Sequence, residues 1–445
     1  MKREYFIGDF LKRIKRPLTL DDNQDYNLVT IKMNHNGVVL RGKKRGSDIK
    51  SNMYEVKEGD FILSGIDARN GAFGIIPKEL DGAIVTNDFW YFEIDEKIIS
   101  KKLFLELTAT TWFDDICKKG SDGTTQRIRL QKNKFFNQKI LLPEGAEQKA
   151  LLEKILYFKK CQNEFVNEID SQKNLTSKLK QSILQEAIQG KLTADWREQN
   201  PNTEPASEIL NRIKSVKAQL IKDKKIKKEK ALPSITEEEI PFELPAGWLW
   251  CRMQNYLDVR DGTHNTPKYV KSGIPLVTSK NLYTGELDLS NIKYISEQDH
   301  KEISKRSNVE RDDILLAMIG SIGNPVIVDI EPNFSIKNVA LIKYYLRDLS
   351  HPNYIKYFLE TATQKFIKEA RGGVQPFISL TKLRHTLFPI PPLKEQKVIV
   401  EKVETLMKQC QILEQEIKTS EANAQMLMQA VLKEAFEGKK EEVVI

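Results

Sequence analysis

Cysteine is scarce and unpaired in this sequence: there are 4 in 445 residues, at Cys117, Cys161, Cys251 and Cys410, with no CxxC pair. That excludes a disulfide scaffold and a thiolate zinc site, and it places the chain in a reducing compartment. Histidine is equally thin. Of His35, His264, His300, His351 and His385, no two stand at metal-ligand spacing. No apolar run reaches the ~18 residues that a membrane span requires. The opening Met1-Lys2-Arg3-Glu4-Tyr5 has no apolar core of a signal peptide, so a cytoplasmic location is expected.

Complete catalytic signatures are missing as well. Gly37-Val38-Val39-Leu40-Arg41-Gly42-Lys43-Lys44 has the glycine and lysine spacing of a phosphate-binding loop, but Lys44 stands where a hydroxyl must hold magnesium. Asp48 with Glu55-Val56-Lys57 has the residue types of a metal-dependent nuclease at loose spacing, and a charged strand edge explains them as well. Ile319-Gly320-Ser321-Ile322-Gly323 is a glycine turn without the rest of a dinucleotide fingerprint. The residues therefore offer no metal site and no active site, and the chain is not expected to be an enzyme.

What is present is a repeat. Placing Glu395-Gln396-Lys397 over Glu147-Gln148-Lys149 sets an offset of 395 − 147 = 248, which also aligns Glu401-Lys402 with Glu153-Lys154, Glu434-Ala435 with Glu186-Ala187, and Gly438 with Gly190. A 3,4-spaced seam runs through both copies. It reads Ile155, Phe158, Gln162, Phe165, Ile169, Gln172, Thr176, Leu179, Ile183 in the first and Val403, Leu406, Cys410, Leu413, Ile417, Ser420, Ala424, Leu427, Val431 in the second. Each segment follows proline and stops at a glycine suited to the left-handed position beyond a helix end. Two uninterrupted helices that pack together are predicted, each on the order of 65 Å long. Charge placed at Leu413 or Ile417 should disrupt them.

A chain of this length exceeds one core, and the stretches before the helices echo each other. Asp60-Phe61-Ile62-Leu63 with Gly71 matches Asp312-Asp313-Ile314-Leu315 with Gly323 at an offset of 252, and Thr86-Asn87 matches Lys337-Asn338. Short β-rich runs with glycine and asparagine turns make these segments mixed α/β. The expected fold class is α+β: two similar mixed α/β domains separated by an antiparallel pair of long helices, a pseudo-two-fold repeat. The boundaries are 1–143 for the first domain, 144–196 for the first helix, 197–240 for a charged linker with a helical piece from Ala206, 241–390 for the second domain and 391–445 for the second helix. The lysine-rich run at 222–230 and the acidic Glu237-Glu238-Glu239 are expected to be solvated.

Net charge is +8, from 70 Lys+Arg against 62 Asp+Glu, which is compatible with a polyanion without requiring one. Placement says more. The first domain carries Arg41, Lys43 and Lys44 in a glycine-bounded segment expected to be a loop, then Arg69-Asn70, Lys119 and Arg127. The second carries Arg260, His264, Asn265, Lys268 and Tyr269 in a turn-rich loop, then Lys280-Asn281, Arg371 and Gln375. These are the side chains that hold phosphates and read base edges. Any one of them is a solvated loop residue; two matching sets favour nucleic acid.

With Pro391-Pro392-Leu393-Lys394-Glu395-Gln396-Lys397 opening the second helix, a degenerate copy at Pro143, and Leu244-Pro245-Ala246-Gly247-Trp248 opening the second domain, the chain resembles the DNA-specificity subunit of type I restriction-modification systems over nearly its whole length. The resemblance implies two target-recognition domains, each reading half of a split site in double-stranded DNA. It implies two methyltransferase subunits and a motor-nuclease restriction subunit as partners, with S-adenosylmethionine, ATP and magnesium on those partners. A DNA-binding adaptor of another defence system and a coiled-coil protein-interaction scaffold are the alternatives. One departure stands out: the first domain begins at Tyr5-Phe6-Ile7-Gly8 without the proline-glycine-tryptophan opening, so its edge is expected to be shortened or supported by another part of the complex.

Overall fold

A computed structural model of the chain describes residues 2–109, 111–123, 128–228, 232–370 and 376–437. The chain forms two compact units, one holding the residues up to Asp170 with those from Ile417 onward, the other Ser171–Glu416. Each unit is built on the same four-stranded antiparallel sheet. In the first the strand order is Leu11–Ile14, Phe89–Ile94, Phe61–Ser64, Phe73–Ile75; in the second it is Leu257–Asp261, Val339–Tyr344, Ile314–Ala317, Gly323–Ile327.

The central strands are buried on both faces, which is why they read as continuous apolar runs. Alternation sorts their side chains into two layers. Phe61 and Leu63 join an aromatic cluster under the helices, with Phe61 edge-on to Phe104 at 4.9 Å, while Ile62 and Tyr91 pack with Val29 and Val56 of a second sheet. In the second unit Ile314 and Leu316 take the helix side, and Leu315 and Ala317 take the sheet side with Val277 and Ile336. Hydrogen bonding fixes the correspondence. Lys57 N–H donates to Asp60 Oδ2 at 2.9 Å as Glu310 N–H donates to Asp313 Oδ2 at 2.7 Å. Asp60 therefore corresponds to Asp313, one residue later than the sequence match with Asp312, and the stretch from Asp313 to Gly323 is one residue shorter than that from Asp60 to Gly71. The second sheets have diverged: five strands in the first unit, three in the other.

The first unit's edge strand is complete. Lys2–Phe6 pairs antiparallel with Lys139–Pro143, as Leu249–Arg252 pairs with Leu387–Ile390. The linker is likewise more ordered than its composition suggests. Helix Ala206–Lys222 buries Ala206, Ile209, Leu210 and Ile213 in the core of the second unit, and Glu239 receives two hydrogen bonds from the buried Arg252, at 2.8 and 2.9 Å. That guanidinium, first among the causes, holds the Glu239 carboxyl below its ordinary range.

The long helices span Ala146–Ile188 and Leu393–Glu437. The first ends as expected: Gly190 takes φ 72° and Lys191 N–H returns to Glu186 O at 2.9 Å. Within the second unit the helices run antiparallel, because Lys180 meets Glu414 at 2.7 Å while Lys402, nearer the start of the second helix, meets Asp195 beyond the end of the first at 2.8 Å. The repeated glutamine has a repeated role. Gln148 Nε2 donates to Pro143 O and Ile98 O at 2.9 and 2.6 Å; Gln396 Nε2 donates to Pro391 O at 3.1 Å, and its Oε1 accepts from His351 N–H at 2.9 Å. Each glutamine thus ties the first turn of a long helix to the domain before it. Glu395 is fully buried and accepts from Thr193 Oγ1 at 2.6 Å, Trp248 Nε1 at 2.8 Å, and Arg197.

Along the seams one of the two positions in each heptad is buried or partly buried and the other is more exposed. Ile155, Ile169, Thr176, Ile183, Val403, Cys410 and Ile417 are buried, whereas Phe165, Leu179, Leu413 and Leu427 are exposed. This splits the expectation for the two tested positions, since Ile417 is 8% and Leu413 42% exposed. Ile417→Glu should cost several kcal/mol through burial of an unpaired charge, and Leu413→Glu less than about 1 kcal/mol. Urea midpoints at unchanged slope measure both, and equal losses would contradict the difference. Gln396→Ala and Gln148→Ala should each cost roughly 1–3 kcal/mol, and Glu395→Ala about 3 kcal/mol. An unchanged midpoint for Gln396→Ala would refute its role as a tie.

Candidate nucleic-acid interface

In the first unit the basic stretch is a strand, Val38–Arg45, at the free edge of the five-stranded sheet and paired with Asp25–Ile31. Leu28 faces Gly42 and Val29 faces Leu40, so Arg41 is the extra residue of a β-bulge, a device that re-aims a side chain. Arg41, Lys43 and Lys44 are all exposed. Charge on an open edge also blocks further strand pairing, so the strand has a structural use as well as a binding potential.

The tip of this hairpin is pinned. Asn34 and His35 donate their N–H groups to Asn70 O and Gly71 O at 2.8 and 3.0 Å, and His35 Nε2 lies 3.0 Å from Asp114 Oδ2 with its ring edge-on to Phe73. Gly71 is required here: its φ is 73°, and a Cβ would come within 2.6 Å of the imidazole. Three elements are thereby joined. They are the hairpin tip, the turn carrying half-buried Arg69 and exposed Asn70, and helix Thr111–Lys119, which ends at exposed Lys119. Arg127 lies outside the described residues.

In the second unit the turn-rich loop follows strand Leu257–Asp261. Arg260 is half-buried, with its guanidinium on Asp258 Oδ2 at 2.6 and 2.9 Å and on Arg306 O at 3.3 Å. His264 Nε2 sits 2.8 Å from Asp261 Oδ2, and its Nδ1 sits 3.1 Å from Asn338 Oδ1. Asn265 and Lys268 are exposed, and Tyr269 presents its ring to Lys293 Nζ at 4.4 Å, a cation–π contact. Lys280 is exposed on the turn Ser279–Leu282. Its neighbour Asn281 is buried, with Oδ1 accepting from Thr278 N–H and Oγ1 and Nδ2 donating to Asp288 O, so its amide organises the turn. Arg371 and Gln375 lie outside the described residues.

The structure thus joins at His35 the turn that carries Arg69 and Asn70 and the helix that ends at Lys119, and it sets His264 on Asp261 and Arg260 on Asp258, leaving Lys268, Tyr269 and Lys280 further along the chain. It also brings in side chains that sequence reading missed. Arg306, at the end of helix Glu297–Ser307, donates to Asp261, and Lys337 donates to Thr266. Nothing local marks these residues, since each lies some 40 or more positions from its partner; Asn338 was visible only as a repeat marker. Burial raises the Cys117 and Cys251 thiols above their ordinary range, making them core residues. Among the described residues no group of three or more His, Cys, Asp or Glu could hold a metal ion, and no helix is long and apolar enough to cross a membrane.

Comparison with known proteins gives one family. Residues 3–173 and 262–421 match the model described as the type I restriction modification DNA specificity domain, so the match falls in both halves. The chain is similar to the EcoAI specificity subunit of Escherichia coli, 35% identical over 256 residues covering 54% of this chain and 41% of that protein. It is also similar to the Escherichia coli EcoEI specificity subunit, 29% identical over 259 residues covering 55% of this chain and 42% of that protein. The chain therefore matches less than half the length of these relatives. Its fold is similar to that of a solved chain from a type I R-M system, with TM-score 0.62, 17% identity and 98% of each chain covered.

Proposed function

Because the chain belongs to the type I restriction modification DNA specificity domain family, we propose that it is a non-catalytic, cytoplasmic subunit that reads a split site in double-stranded DNA for a type I restriction-modification complex. The observation that carries this reading is the family match in both halves, on units that share one four-stranded framework and differ in the elements attached to it. One framework with two different edges is what a reader of two different half-sites needs. In the first unit the bulged basic strand, together with Arg69, Asn70, Lys119 and Arg127, supplies phosphate and base contacts. In the second, Arg260, His264, Asn265, Lys268, Tyr269, Lys280, Arg371 and Gln375 do so. Asn281 supports its loop from within.

The long helices serve as the scaffold for two methyltransferase subunits and the restriction subunit. This part of the proposal is supported by apolar seam positions left exposed in each unit, Phe165 and Leu427 in the first and Leu179 and Leu413 in the second, side chains of the kind that further helices cover. S-adenosylmethionine, ATP and magnesium belong to those partners in this reading. The chain contributes position and sequence choice, and the partners contribute chemistry.

Duplex affinity should fall steeply with salt, by about tenfold or more between 50 and 200 mM as several phosphate contacts release counterions. Asn265→Ala should relax sequence preference in one half-site and spare the other. Salt-insensitive association with a protein in place of DNA would favour an interaction scaffold. Equal loss in both half-sites would overturn the two-reader arrangement.

A further inference from the structure

Asp261 holds a position that the general reading does not explain. Its carboxylate is 5% exposed, yet its two partners, His264 and Arg306, have side chains 59% and 61% exposed. An ion pair that served only the fold would cover its cation, because desolvating a carboxylate is costly and is offset best by a buried, fully bonded partner. Here the anchor is inside and both donors face outward. Four segments meet at it: the end of strand Leu257–Asp261, the loop with His264, the end of helix Glu297–Ser307, and the turn with Asn338, which has φ 55°. The loop is tied to that turn by Thr263 N–H on Ile336 O at 3.0 Å and Asn338 N–H on Thr263 O at 3.2 Å. Arg306 is held a second time, its carbonyl accepting from Arg260 at 3.3 Å. Val259 pairs with Ile342 as Arg13 pairs with Phe92, so the position equivalent to Asp261 in the first unit is Lys15, one residue beyond strand Leu11–Ile14, and the arrangement belongs to the second unit.

Resting on the DNA-reading function proposed above, we infer that Asp261 is a positioning residue that fixes Arg306 as a sequence-reading side chain for a guanine edge. A guanidinium is a planar fork of five N–H donors. With one side held on Asp261, its remaining donors are presented in a fixed plane, which suits the paired acceptors O6 and N7 of guanine in the major groove. A backbone phosphate offers acceptor oxygens too. It has no need of such a frame, since a mobile lysine serves as well.

The test is selection from a random duplex pool by the full chain assembled with its methyltransferase partner, for wild type, Arg306→Lys and Asp261→Asn. Arg306→Lys keeps the charge and loses the fork. It should cost roughly five- to a hundred-fold in discrimination at one guanine of one half-site, with the other half-site and the salt dependence unchanged. Asp261→Asn should degrade the same base position. A motif that stays intact in Arg306→Lys, with only overall affinity altered, would assign Arg306 to phosphate and overturn the inference. If Asp261→Asn fails to fold, Arg306→Lys still decides. A wild-type assembly that selects no split motif at all would instead defeat the underlying DNA-reading proposal, and this inference with it.

Discussion

A carboxylate removed wholly from water must be matched on every side, and Glu395 sits in that position at the start of the second long helix. Its match comes from Thr193 and Arg197, just beyond the end of the first long helix, and from Trp248, at the entrance to the second domain. Three segments separated in sequence are therefore tied by one side chain, because removal of any donor leaves charge buried without compensation. Gln396 adds the domain itself: besides its bonds to backbone, it donates to the Tyr256 hydroxyl, whose pKa burial pushes up to about 12. Helix end, domain entrance and helix start are thereby held in fixed relation within this unit. Without that, a reading surface at the far edge of the domain would have no defined orientation to the helices.

The same economy governs the sheets. One alternating strand divides its side chains between a helical layer and a second sheet, so the framework is specified by a few apolar positions and tolerates change elsewhere. The two units exploit that freedom differently. One extends its second sheet to an exposed basic ribbon, and the other reduces it to three strands and builds its surface from loops and the end of a helix. In the proposed function, this separation of framework from surface is what permits two unlike half-sites to be read by one fold.

Much of this was legible from sequence where the signal was local. Flanking proline and glycine bracket the first helix, Ala146–Ile188, between Pro143 and Gly190, short of the 196 given as its boundary, and the identity of Gln148 and Gln396 marked the duplication. Seam arithmetic could not tell Ile417 from Leu413, because the heptad pattern says which residues face a neighbour without saying how much of that face one neighbour covers. The helical piece from Ala206 was legible in the linker, but its charged composition did not show that the spaced apolar residues of Ala206–Lys222 pack into the core. The candidate sites were the least legible. Asn281 has the chemistry of a base reader and caps a buried turn, whereas Arg306 and His35 gain their places from contacts many residues distant.

The central proposal is that this chain directs DNA methylation by its partners to a split sequence, and a genome-wide map of methylated bases in the host, with and without the gene, tests it most directly. The account predicts a bipartite motif with one fixed gap that disappears on deletion. An unchanged map in cells shown to express the partner subunits would contradict it.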